Sequence, residues 1–359
     1  MSKAITGAAE VTIIVATYNR PYVLKCAIES VLLQRFANWQ LYIVGDACGQ
    51  ETVGLIASFD DPRIHYCNLP KRCGEQSGPN SAGIAAATTK YVALLNQDDI
   101  WLPDHLEVAL KRLKRADASF YCAGAAITGL TKNRATQKEE AKFILTSQKN
   151  RTFETMFFSH PDYLEPASAW VFTKEVFDKV GPWTPAATLY RTPLEDWLLR
   201  LWRSGLRHIL SDDITVIKCN VLKHRNAANP KIKTSLYSQK ETEQCSLIGF
   251  LHKGEVDQLK HIIGSNVAEL AAVARHPERF KGSDLYERYE ALVNRDAARG
   301  FFEEGRDSYT DFCNLAGIRK GQSIKSLLRH RTGEKLPNHK NWDDIIQFAQ
   351  NSFFGKVRP

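Results

Sequence analysis

The sequence predicts an α/β protein built on a mostly parallel, doubly wound sheet with a helical C-terminal region. Two observations carry this. Short apolar runs of strand type alternate with helix-spaced segments over the first 130 residues, and that order implies parallel strands joined by right-handed crossovers. After residue 230 the apolar positions recur at helical spacing only, as in VDQLKHIIGSNVAELAAVA and NWDDIIQFAQNSFF.

Each element follows from its local pattern. VTIIVAT (11–17) is a β-branched run for a buried strand, and after YNRP the segment from Tyr22 to Gln34 places Val23, Cys26, Ala27, Ser30 and Val31 on one helical face. WQLYIVGD (39–46) is the second strand and ETVGLIASF a short helix. RIHYCNLP (63–70) is the third strand, GPNSAGIAAATT (78–89) a small-residue helix, and YVALLNQDD (91–99) the fourth strand. DHLEVALKRLKRA reads as a helix and ASFYCAGAAITG as a further strand. Residues 130–150 are rich in Lys, Thr and Gln and read as a long polar excursion. Thr192 and Glu195 form a capping box with Pro193 at the first helical position, and Gly205 supplies the stop. RNAANPKIK reads as a linker, which gives a first domain over 1–230 and a helical region over 231–359.

Composition limits the function classes. The 359 residues are 43% hydrophobic and 25% charged, the profile of a folded globular chain. Eight cysteines without a C-x-x-C pair suggest neither a zinc ribbon nor a disulfide scaffold, and a reducing cytosol is the expectation. VTIIVA is too short for a signal h-region, and no run approaches a membrane span. The formal charge is +8, and the stretch from Leu315 holds nine basic and three acidic residues. Such an end suits an anionic partner such as a phospholipid surface, a lipid-linked diphosphate or nucleic acid, and equally a solvated helix face. Of these the expectation is peripheral contact at the inner face of a membrane and no nucleic-acid role, and the oligomeric state stays open.

In doubly wound sheets ligands bind beyond the carboxyl ends of the strands. The polar residues there are Thr17, Tyr18, Asn19 and Arg20 after the first strand, Asp46 after the second, Asn80 opening the third helix, and Asn96, Gln97, Asp98 and Asp99 after the fourth. Neither a G-x-G-x-x-G nor a P-loop follows the first strand. Acids at the second and fourth strand ends suit different tasks: one accepts from a base or ribose, the other holds a hard divalent cation against a diphosphate.

VTIIVATYNRPYVLKCAIESVLLQRFANWQLYIVGDACGQ, GPNSAGIAAATTKYVALLNQDDIWLPDHL and LEDWLLRLWRSG, in that order, resemble glycosyltransferase family 2, the inverting enzymes of the GT-A fold. The resemblance covers about the first 225 residues. It implies a nucleotide-sugar donor, with UDP favoured, a glycan or lipid-linked acceptor, and Mn²⁺ or Mg²⁺. By the same resemblance Thr17 and Tyr18 contact the nucleobase, Asp46 accepts from it, and Asn80 lies near the diphosphate. Arg20 and Gln97 join the nucleotide set. Asp98 matches the metal-binding acid of the D-x-D motif, whose first acid is replaced by Asn96, and Pro79 stands where many members carry arginine. Asp196 matches the general base of the E-D motif, with Glu195 beside it as a second catalytic candidate; His224 and Arg225, after the strand that follows the E-D helix, are candidates to reach the diphosphate or the metal, or else surface residues at a domain edge. Trp170, Trp183, Trp197 and Trp202 supply candidates for one sugar-binding platform. The expectation is therefore a bacterial surface-polysaccharide transferase; the alternative is a non-catalytic binder of nucleotide sugars or glycans on the same fold.

Overall fold

The computed structural model describes residues 8–132, 139–147, 150, 152–153, 166–186, 189, 192–219, 244–245, 247–275 and 342–354. The chain divides into two compact units: Met1–Ala125, Glu165–Lys218 and Leu336–Pro359 form one, and Ala126–Leu164 with Cys219–Lys335 form the other.

In the first unit β1 (Val11–Thr17), β2 (Trp39–Gly45), β3 (Ile64–Asn68) and β4 (Tyr91–Leu94) pair in parallel in the order β3-β2-β1-β4. Three crossover helices join them: α1 (Pro21–Leu32), α2 (Gln50–Ala57) and α3 (Ser77–Ala86). Val11, Ile13, Ile14 and Val15 are fully buried. That explains why β1 reads as a continuous apolar run, since helices on both faces leave no wet side. The small residues of α3 serve close packing. A Cβ on Gly83 would lie 2.6 Å from Ile14 Cγ2 of β1. Because β2 and β4 flank β1 on opposite sides, the strand order reverses there, which is where doubly wound sheets bind ligands beyond their strand ends.

Past β4 the sheet becomes mixed rather than mostly parallel. β8 (Trp170–Thr173) runs antiparallel to β4 and to β6 (Phe120–Lys132), and β5 (Asp99–Trp101) runs antiparallel to β9 (His208–Cys219). Apolar periodicity fixes which residues are strands but not their direction. The expected fourth strand over 91–99 is two strands, because the chain turns between Leu94 and Asp99; the Asn96 side-chain amide donates to Asp99 Oδ2 (2.9 Å) and closes that turn. α4 (His105–Ala116), α5 (Lys174–Val180) and α6 (Pro193–Arg203) complete the layers of this unit with the C-terminal helix (Asp343–Phe354).

The second unit contains the far end of β6, residues 126–132, paired antiparallel with β7 (Glu139–Thr146). This strand lies where a polar excursion was expected. Backbone hydrogen bonds form an antiparallel ribbon without any apolar alternation, so the sequence carried no signal for it. The long helix Val256–Arg275 packs on β7, with Val256, Leu259 and Ile263 buried at helical spacing. No helix among the described residues is long and apolar enough to cross a membrane.

Candidate active site

Loops from four elements meet beyond the parallel strand ends. Gln97 Oε1 accepts from Thr17 Oγ1 (2.8 Å) and from the Tyr18 backbone N–H (3.1 Å), so the ends of β1 and β4 are tied through one amide oxygen. Its Nε2, the donor end, takes no partner among the described residues. Arg20 Nη1 donates to Asp98 Oδ2 at 2.8 Å, with the two side chains 20% and 24% exposed. Asn19, between them, sits at φ 43° and accepts from the Gly49 N–H at 2.8 Å, which locks the loop after β1 to the start of α2.

Asp46 follows β2 and is 5% exposed. Its two oxygens accept from the backbone N–H groups of Cys73 (2.5 Å) and Gly74 (2.9 Å). The carboxylate expected to read a base thus holds the loop after β3 as well. Burial and the Asp46 carboxylate push the Cys73 thiol up to about 12, so it stays protonated. The same loop places the Arg72 guanidinium 4.0 Å from the Tyr18 ring centroid, covering one face of the ring expected to stack on a nucleobase. Gly45 is tightly packed: a Cβ there would lie 2.5 Å from Tyr66 Oη and 2.6 Å from Asn68 Oδ1, so both side chains would have to shift. Asn80 is buried in the first turn of α3.

Asp99, beside Asp98, is fully buried. Its Oδ2 accepts from Ser168 Oγ (2.5 Å) and from the Asn96 amide, while Ser168 Oγ accepts from the Asn96 N–H (3.0 Å). Burial pushes the Asp99 carboxyl above the usual carboxylate range, opposed by the charge of Lys218, its cross-strand partner. Asn96, at the first D-x-D position, is therefore a clamp for the loop that presents Asp98. Nothing in the sequence pointed to Ser168.

On α6 the capping box forms as expected: Glu195 N–H donates to Thr192 Oγ1 (3.3 Å), and Thr192 N–H donates to Glu195 Oε2 (2.9 Å). Glu195 thereby fixes where the helix starts, and Asp196 falls in its first turn, where a carboxylate is favoured by the helix end. Asp196 Oδ2 accepts from Thr184 Oγ1 (2.8 Å) and Arg200 Nε (2.9 Å). Its Oδ1 takes no partner among the described residues.

The tryptophan expectation is corrected for three of the four. Trp170, Trp183 and Trp197 are 0% exposed and pack on one another and on Phe120 and Phe172. Apolar burial is the larger gain for an indole, and a ring without an open face cannot receive a sugar. His224 and Arg225 lie outside the described residues, as does the basic stretch 315–341. Among the described residues no group of three or more His, Cys, Asp or Glu side chains forms a metal cage. Asp98 is the carboxylate at the strand end, and one carboxylate with substrate phosphates is a normal Mg²⁺ set.

A doubly wound sheet with carboxylates near three strand or helix ends belongs to the α/β class whose ligands lie beyond the strand ends at the switch point. Residues 12–181 match the model described as "Glycosyl transferase family 2". Asp46 and Asp98 lie inside the match; Asp196 lies beyond it. Among curated proteins, the chain is 36% identical over 116 residues to the succinoglycan biosynthesis protein ExoO of Rhizobium meliloti, covering 32% of each chain. It is 31% identical over 110 residues to the UDP-Glc:alpha-D-GlcNAc-diphosphoundecaprenol beta-1,3-glucosyltransferase WfgD of Escherichia coli, covering 31% of this chain and 43% of WfgD. The chain thus matches less than half the length of these relatives. The crystal structure of S. aureus TarS aligns with a TM-score of 0.48 at 12% identity, covering 95% of this chain and 55% of that one.

Proposed function

We propose that the protein is a metal-dependent, inverting glycosyltransferase that moves a sugar from a UDP-sugar to a hydroxyl of a glycan or lipid-linked acceptor in bacterial surface-polysaccharide synthesis. The observation that carries this reading is the division of labour among three carboxylates. Asp46 is tied to backbone, Asp98 is paired with Arg20, and Asp196 is held through Oδ2 with Oδ1 open. The similarity to ExoO and WfgD, named as a succinoglycan biosynthesis protein and a transferase to a lipid diphosphate, supports the pathway and the acceptor class. An acceptor of that kind would be met at the inner membrane face.

Each residue then has a task. The Tyr18 ring and the Arg72 guanidinium offer flat faces to a base, and Gln97 Nε2 offers a donor to a base or ribose oxygen. Asp46 accepts from the base edge with its remaining lone pairs while keeping the 73–74 loop in place. The N-terminal turn of α3, with Asn80, favours the diphosphate. Mn²⁺ or Mg²⁺, held by Asp98 and donor phosphates, would neutralise charge on the leaving diphosphate. Arg20, freed from Asp98, carries a second positive charge to the same place. Asp196 Oδ1 removes the proton of the acceptor hydroxyl as that oxygen attacks the anomeric carbon, and the sugar–phosphate bond breaks on the opposite face, which inverts the configuration. A positioned base of this kind contributes about 10²–10⁴ in rate.

The test is nucleoside diphosphate release from a panel of nucleotide sugars with Mn²⁺, comparing the wild type with Asp98→Ala and Asp196→Asn. Turnover of one donor, abolished by Asp98→Ala, supports the transferase; binding of a donor with no turnover in the presence of glycan acceptors would favour the non-catalytic binder.

A further inference from the structure

The last helix of the chain folds back onto the first unit and reaches the segment that holds Asp196. It packs on α3, where a Cβ on Gly78 would lie 2.9 Å from both Trp342 Cζ3 and Ile345 Cδ1. Phe353 stacks on Tyr42 of β2 with centroids 4.2 Å apart, Ala349 is fully buried against Cys67 and Ala82, and Gln350 Nε2 donates to the Ala85 carbonyl (3.2 Å). Helix packing alone would account for these contacts. One contact goes further: Trp342, 6% exposed, donates its indole N–H to the Trp183 carbonyl at 2.7 Å.

Trp183 lies in the stretch, residues 180–186, that supports Asp196. Four successive carbonyls here each accept from a side chain: Val180 and Pro182 from Arg200, Gly181 from Trp197, and Trp183 from Trp342. The Trp183 N–H donates to Ser81 Oγ of α3 (3.0 Å), the next residue, Thr184, donates to Asp196 Oδ2, and the Ala186 N–H donates to the Glu75 carboxylate (2.9 Å). Arg200 and Trp197 share α6 with Asp196, so their bonds fix the stretch relative to that helix alone. Ser81, Glu75 and Trp342 fix it relative to α3 and the donor-side loop. An extended segment with no ladder of its own keeps its place only through such bonds.

We infer that Trp342 is a positioning residue for Asp196: through the Trp183 carbonyl it anchors Thr184, which aims the Asp196 carboxylate, so the C-terminal helix is a working part of the transferase. The base role assigned to Asp196 is the reading on which this rests. A misplacement of about 1 Å at a reacting group costs on the order of 10²-fold, so loss of one anchor should be visible in rate.

The experiment uses the full chain with Trp342→Phe, which keeps a ring and removes the N–H donor, and Trp342→Tyr should the first variant not fold. Amide hydrogen exchange is expected to rise about ten-fold or more at Trp183 and Ala186, while β1 and β2 keep their protection. UDP release from UDP-glucose, UDP-N-acetylglucosamine and UDP-galactose, counted per UDP-binding site by titration calorimetry, is expected to fall about ten-fold in kcat, with donor KM within about two-fold. Joined to Thr184→Val, the Trp342 change should add little, because both act through one path. Unchanged exchange at Trp183 and Ala186, or full additivity with Thr184→Val, overturns the inference. Full activity of Asp196→Asn, or no turnover of any donor by the wild type, removes the base reading instead, and the exchange result still decides the anchoring.

Discussion

Arg20 and Asp98, 78 residues apart in the chain, form an ion pair of 2.8 Å between the loops that follow β1 and β4. Both side chains keep a fifth or more of their surface in solvent, so the pair itself adds only about 0–1 kcal/mol to stability. On the proposed function, the pair sets a cation and an anion beside the donor diphosphate.

Arg20→Gln is therefore expected to leave the melting temperature within about 2 °C of the wild type and to raise the donor KM roughly ten-fold, read by UDP release and by UDP titration. A large drop in melting temperature with unchanged donor KM would assign the pair to the fold instead.

Asp196→Asn and Glu195→Gln should separate. The first removes the base and lowers transfer by about 10²–10⁴. The second keeps the capping box, because glutamine closes it as glutamate does, and is expected to retain most activity. Thr192→Ala, which opens the box, should cost about 1 kcal/mol in denaturant unfolding.

His105 gives a pH dependence of stability. It is fully buried, stacks on Trp101, and bonds Thr215 through Nδ1, and burial lowers its pKa from 6.5 to about 3. Between those values the unfolded chain binds one proton more than the native state. Its contribution is therefore complete above pH 6.5 and is lost as pH falls toward 3, by up to about 1.4 kcal/mol per pH unit. His105→Phe should flatten the acid side of a stability–pH curve measured by urea unfolding, and an unchanged slope would assign that slope to other groups.

Gly45→Ala places a methyl group against Tyr66 Oη and Asn68 Oδ1 at the end of β2. Overpacking of this kind costs about 1–3 kcal/mol. The adjacent Asp46 should shift with it, so weaker UDP binding is expected together with the lower midpoint.

Much of the parallel half was legible because β1, β2 and β4 are buried on both faces and so are written as nearly unbroken apolar runs. The capping box on α6 was legible because it is made within four residues. β7 was not, since its pairing is backbone to backbone, and the split of the fourth strand was not, since the turn is held in part by Ser168, 69 residues from Asp99 and 72 from Asn96. The tryptophans show the same limit. Composition gives an aromatic cluster, but only packing decides that Trp170, Trp183 and Trp197 face one another rather than a sugar.

By itself the sequence determined the α/β class, the strand ends that carry Thr17, Asp46 and Asp98, and the helix turn that carries Asp196, because each depends on residues near one another in the chain. Tertiary structure decided what holds them. Asp46 meets the 73–74 loop, Arg20 meets Asp98, and the carbonyl next to Thr184 meets an indole 159 residues further on. Such bonds join side chains to distant backbone, and no local pattern in a sequence encodes the partner of a polar group that only folding brings within 3 Å.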